Sequence, residues 1–142
     1  MKVRDIMATE LVALRVDEEM SLASDIMTLG RIRHLPIVKG DTLVGIISQR
    51  DLFKASLTSV IENDYQKARD HLKTVMIKDV MIKDVFTIAP DTEIHEAGRI
   101  MLEKKIGCLP VIQDGVPIGM VTETDILKFY VLRHQNKTGK DI

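Results

Sequence analysis

The chain has 142 residues, 45% hydrophobic and 29% charged, enough apolar material for one good core or two small fused ones and too much for a disordered chain. Its 20 Lys and Arg stand against 21 Asp and Glu, a formal charge of −1, so no overall basic field exists to hold nucleic acid or an anionic membrane. The single cysteine, Cys108, excludes an intrachain disulfide and a CxxC metal knuckle; no signal-peptide pattern opens the chain and no apolar run approaches the roughly 20 residues of a membrane span, so the expectation is a cytoplasmic protein.

Sliding the chain against itself by 74 residues aligns Val3 to Lys54 with Ile77 to Lys128 without a gap, and 13 of the 52 pairs are identical. Average usage would give about three. Among the identities are Asp5 with Asp79, Met7 with Met81, Ala23 with Ala97, Leu35-Pro36 with Leu109-Pro110, Gly45 with Gly119 and Asp51 with Asp125. Regular similarity of this kind means one supersecondary unit used twice, with the apolar faces of the copies buried against each other as a pseudo-twofold pair.

In chain order, each copy opens with a short apolar run, Leu11 to Leu14 or Val85 to Ile88, read as a strand. Asp17 or Asp91 follows as a helix N-cap. Met20, Ala23 and Met27, like Ile94, Ala97 and Met101, recur at spacings of three and four and predict one buried helical stripe. Two β-rich runs come next, Leu35 to Val38 and Leu43 to Ser48, separated by Lys39-Gly40-Asp41-Thr42; their counterparts flank Gln113-Asp114-Gly115, which is hairpin chemistry. A second helix starts near Asp51 or Asp125. The expected fold is α+β, with a three-stranded sheet and two helices in each copy. Residues 1–54 form repeat 1, 55–76 a helical connector, 77–134 repeat 2 and 135–142 a polar tail.

Ser48-x-x-Asp51 and Thr122-x-x-Asp125 each sit where a strand ends and a helix begins. A hydroxyl and a carboxylate on one short turn suit a ribose, because an ionised carboxylate accepts from both sugar hydroxyls beside the free donors of a helix N-terminus. The same residues suit a capping box. Both roles are compatible in an empty site. Arg31, Arg33 and His34 precede Leu35-Pro36 as a basic cluster, and Lys105, Gly107 and Cys108 stand at the equivalent positions, so the two copies are chemically unequal toward phosphate. A basic cluster at the end of a helix is also consistent with simple dipole compensation. His34, His71, His95 and His134 have no i, i+4 partner, Cys108 no base neighbour, and the chain no nucleophile elbow, P-loop or paired-carboxylate motif; neither a metal site nor catalysis is expected.

The strings VRDIM (Val3 to Met7), RIRHLPIV (Arg31 to Val38), GIISQRDL (Gly45 to Leu52), IGCLPVI (Ile106 to Ile112) and GMVTETDIL (Gly119 to Leu127) closely resemble the CBS-domain family, in particular the acetoin-utilisation-type pairs. The resemblance implies a regulatory two-repeat module that dimerises into a disc and binds AMP, ADP, ATP, NAD or S-adenosylmethionine in clefts between the repeats, with no catalytic cofactor. It assigns ribose binding to Ser48, Asp51, Thr122 and Asp125, places Ile32 and Ile106 beside adenine, and brings Arg33 and His34 toward phosphate. Thr87 matches a family threonine on the first strand and would complete the Ser48 and Asp51 cleft; Ala13 replaces it in the first copy. A regulated enzyme or transporter is the implied partner. A ligand-free dimerisation or protein-interaction module is the alternative, and for Ile32 and Ile106 core packing is an equally good role.

Overall fold

The computed structural model describes residues 1–56 and 65–138. The chain divides into two compact units. Unit A is Val12–Val85, and unit B joins Met1–Leu11 to Phe86–Ile142.

Unit A contains β1 (Leu14–Arg15), α1 (Met20–Gly30), β2 (His34–Lys39), β3 (Thr42–Ser48), α2 (Gln49–Ala55), α3 (Tyr65–Leu72) and α4 (Ile77–Val80). β1 runs parallel to β2, and β2 pairs antiparallel with β3 through a two-residue loop in which Gly40 takes φ 62°, as the first position of a tight hairpin requires. The stripe Met20, Ala23, Met27 lies on the buried side of α1 and packs with Leu14, Leu35, Ile37 and Ile47. Full burial of such side chains stabilises by about 1.5–3 kcal/mol each. Leu72, at the end of α3, is only 3% exposed and enters the same core, while Arg69 of α3 bonds Asp25 of α1 at 3.1 Å. The rest of the connector, 57–64, lies outside the described residues.

Unit B contains α5 (Ile94–Lys104), β4 (Cys108–Gln113), β5 (Val116–Thr122) and α6 (Glu123–Thr138), and Val3–Asp5 forms a single 3-10 turn. Its core is built from Val3, Ile88, Ala97, Met101, Leu109, Val111 and Val121. The expected third strand is reduced to one parallel bridge, Ile88 to Val111, beside the two-stranded sheet β4–β5. The cause is one residue. In unit A the Val16 amide donates to the Val38 carbonyl at 3.1 Å and prolongs the pairing; the repeat equivalent of Val16 is Pro90, which has no N–H to give.

Asp17 and Asp91 do not cap α1 and α5. The N-cap residues are Glu19 and Glu93, neither making a side-chain cap bond. The first helical amides are bonded by backbone instead, Met20 N to Val75 O at 2.8 Å and Ile94 N to Met1 O at 3.4 Å, which removes the demand that an aspartate would have met. Both helices end on a left-handed residue, Arg31 (φ 53°) and Lys105 (φ 56°). α6 continues through Thr138, so the polar stretch from Gln135 is helical that far; no Gly or Pro interrupts it before Gly139.

The leader of each repeat folds with the strands of the other. Ala8 and Met120 exchange both backbone bonds in unit B, at 2.9 and 3.0 Å, and Ile82 and Ile46 do so in unit A, at 2.9 and 3.0 Å. The leader methionine then lies on a strand glycine: a Cβ at Gly119 would overlap the Met7 sulfur, and one at Gly45 the Met81 sulfur. These two glycines are identical in the repeat because backbone and thioether occupy the space of a side chain.

Candidate nucleotide-binding site

Both Ser/Thr-x-x-Asp turns form full capping boxes. Asp51 Oδ2 accepts from the Ser48 amide and hydroxyl, each at 2.8 Å, and the Ser48 Oγ accepts from the Asp51 amide at 3.2 Å. The copy in unit B is looser: Asp125 Oδ2 accepts from the Thr122 amide at 2.9 Å and hydroxyl at 3.1 Å, and Thr122 Oγ1 accepts from the Asp125 amide at 3.4 Å. All four residues are half-buried. Among the described residues no hydrogen bond reaches Oδ1 of either aspartate, so each carboxylate caps its helix with one oxygen and keeps the other available.

The sheet register brings the predicted neighbours to these turns. His34 pairs with Ser48 across β2 and β3, and the Gln49 amide donates to the Arg33 carbonyl at 2.8 Å. Ile32, Arg33 and His34 therefore stand beside the Ser48–Asp51 cap. In unit B, Cys108 pairs with Thr122, and the Glu123 amide donates to the Gly107 carbonyl at 3.1 Å. Ile32 and Ile106 are half-buried and pack against the cores of their own units, while Arg33 is exposed. Thr87 is half-buried and belongs to unit B, with Thr122 and Asp125.

Cys108 is 5% exposed, and burial pushes its thiol up to about 12, so at neutral pH it is a small apolar core group rather than a nucleophile. Among the described residues no three His, Cys, Asp or Glu side chains gather to hold a metal ion, and no helix is long and apolar enough to cross a membrane.

Sequence reasoning missed one feature. Asp125 lines a groove of about 630 Å³ with Ile6, Lys128, Phe129, Leu132 and Arg133. The helical members follow Asp125 at i+3, i+4, i+7 and i+8, one face of α6, and that spacing was the available signal. Ile6 arrives from the leader, and nothing in the spacing announces it.

The CBS-domain family model matches residues 3–58 and 77–132. The chain belongs to the CBS-domain family. Among solved structures, a candidate acetoin utilization protein (AcuB) from Vibrio cholerae superposes with a TM-score of 0.80 at 29% identity, over 100% of this chain and 98% of that one. The CBS domain pair of protein MJ0100, solved in complex with 5′-methylthioadenosine and S-adenosyl-L-methionine, gives a TM-score of 0.78 at 26% identity, over 94% of this chain and 98% of that one. An inosine-5′-monophosphate dehydrogenase of Korarchaeum cryptofilum is 32% identical over 126 residues, which is 88% of this chain and 23% of the enzyme. The chain spans less than half the length of several curated relatives that it matches. The likeness to the dehydrogenase covers a CBS region and carries no catalytic residues to this chain.

Proposed function

We propose that the protein is a regulatory adenine-nucleotide sensor of the cytoplasm, not an enzyme, in which Asp51 and Asp125 each present a carboxylate oxygen to a ribose. The observation that carries this reading is the one-sided use of both carboxylates: every capping bond goes to Oδ2, leaving Oδ1 for the sugar hydroxyls. Ser48 and Thr122 hold the carboxylates in place, Ile32 and Ile106 flank adenine, Thr87 lies near the ligand, and Arg33 and His34 meet phosphate in the first copy. The adenosine compounds bound by the MJ0100 pair support the ligand class. Binding shifts a conformational equilibrium only through unequal affinity for its two states, and the listener is an enzyme or transporter, reached through a homodimer of this chain.

The second reading is a ligand-free interaction module. The exposed apolar side chains of α5 and α6 favour it: Leu102 is 82% exposed and Leu127 65%, lining a groove of about 820 Å³ with Ile106 and Tyr130.

Thermal unfolding with AMP, ADP, ATP, NAD and S-adenosylmethionine separates the two readings, each protein being compared with its own ligand-free baseline. A ligand at about 100 times its dissociation constant adds about 2.7 kcal/mol, a rise of several degrees. The sensor predicts such a rise with at least one ligand and its loss in Asp51→Ala or Asp125→Ala. No rise with any ligand would leave the interaction module standing.

A further inference from the structure

We infer that the groove beside Asp125 selects phosphorylated adenine nucleotides over phosphate-free adenine compounds, through Lys128 and Arg133. The inference rests on the nucleotide reading above and concerns unit B alone. At about 630 Å³ the groove has the size of a small-molecule site. Its polar groups are spaced along α6, with Lys128 and Arg133 on opposite flanks of Asp125 around the helix. With a rise of about 1.5 Å per residue, Lys128 stands about 4.5 Å and Arg133 about 12 Å along the axis from Asp125. A nucleotide whose ribose meets the Asp125 carboxylate sends its 5′ substituent past these two cations in turn. Ile6, Phe129 and Leu132 supply apolar wall.

The Arg133 guanidinium sits 5.7 Å from the Phe129 ring centroid, and Tyr130 meets that ring edge-on at 5.1 Å. A cation held on an aromatic face is partly ordered before any phosphate arrives, and arginine's planar fork suits phosphate oxygens. The charged side chains of the groove are Asp125 against Lys128 and Arg133. Once the carboxylate is engaged by sugar hydroxyls, two positive groups remain, which attract a phosphate chain and repel the sulfonium and ammonium of S-adenosylmethionine.

The feature is confined to one copy. The repeat equivalent of Lys128 is Lys54, but that of Phe129 is Ala55, where α2 ends. In unit B the basic cluster of the first copy is replaced by Lys105, Gly107 and Cys108, so the positive charge for phosphate moves to α6.

The test is calorimetric titration of the full chain carrying Asp51→Ala, which isolates the unit B site, with ADP, AMP, adenosine and 5′-methylthioadenosine. ADP binds at least about tenfold tighter than adenosine, and adding Lys128→Gln with Arg133→Gln weakens ADP by at least about tenfold while adenosine changes less than about twofold. Both substituted side chains are exposed, and an unchanged melting temperature confirms that the variant folds. Equal affinity for ADP and adenosine, ADP binding indifferent to the two substitutions, or ligand bound only when Asp51 is intact would each overturn the inference and leave the sensor reading in place. Absence of binding by the unsubstituted chain would remove both.

Discussion

Unit A and unit B share a plan, yet they differ wherever one copy has gained or lost a single backbone donor or a covering helix. Unit A pairs β1 with β2 over two residues and lays α3 over α1; unit B keeps one bridge at Ile88, because Pro90 ends the pairing, and has instead the long α6. What the units hold in common is the leader contact, Met7 on Gly119 and Met81 on Gly45, with the same pair of backbone bonds. The comparison teaches which features the repeat requires. The methionine-on-glycine contact and the capping box appear in both units in the same positions, while the third strand and the helical cover are local to one.

The largest expected effect comes from the helical cover that unit B lacks. Leu72→Ala removes a side chain that is 3% exposed in the unit A core and should cost about 2–5 kcal/mol in denaturant unfolding. A cost below about 1 kcal/mol would show that α3 is an incidental cover and would make the units more alike.

The shared leader contact should respond next. Gly119→Ala and Gly45→Ala force a methyl into the methionine sulfur and each should destabilise by about 1–3 kcal/mol. Pairing Gly119→Ala with Met7→Ala, or Gly45→Ala with Met81→Ala, should cost less than the sum of the single changes, since the clash with the thioether is gone and only the tight approach to the Ala8 or Ile82 carbonyl remains. Additive costs would mean that the glycines are kept for some reason other than the sulfur.

The capping boxes come third. Ser48→Ala and Thr122→Ala should each lose about 0.5–2 kcal/mol. The tighter set of distances at Ser48 predicts the larger loss in unit A. The reverse order would indicate that distance is a poor guide to the strength of these two caps.

The smallest effect separates the N-caps Glu93 and Glu19. The Lys2 ammonium, hydrogen-bonded to Glu93 at 2.6 Å, holds that carboxyl below its ordinary value; Glu19 faces Met76 at the equivalent bridge and accepts from the Ser21 hydroxyl instead. A depressed folded-state pKa stabilises above the unfolded value and loses that contribution as pH falls through the folded one. Lys2→Met should therefore lower stability slightly at neutral pH, and the difference from the unsubstituted chain should shrink as pH falls through the lowered folded-state value of Glu93. An equal loss at both ends of the range would assign the effect to packing of the lysine stem.

Much of this was legible in the sequence for identifiable reasons. The buried stripe Met20, Ala23, Met27 follows from helical spacing, and the hairpin turns from Gly40 and Asp114-Gly115, whose positive φ values are those a tight turn needs. The Ser48 and Asp51 turn was readable as a cap from its Ser-x-x-Asp spacing at the end of a strand. Asp17 and Asp91 were misread as caps because the amides that they would have met are bonded by Val75 and Met1, neighbours remote in sequence that local patterns do not reveal. Ile6 in the Asp125 groove was invisible for the same reason, whereas Lys128, Phe129 and Arg133 lay in plain helical register.

The exchange of leaders also sets an order on synthesis. Unit A is one continuous stretch, complete once Val85 has been made, whereas unit B needs residues 1–11 together with strands that follow unit A. Val3 and Met7 must wait through translation of the whole of unit A, several seconds at about 5–20 residues per second, before β5 and its glycine exist to receive them. On the ribosome, then, a folded unit A precedes unit B, and Val3 and Met7 stay without their partners until β5 has been made.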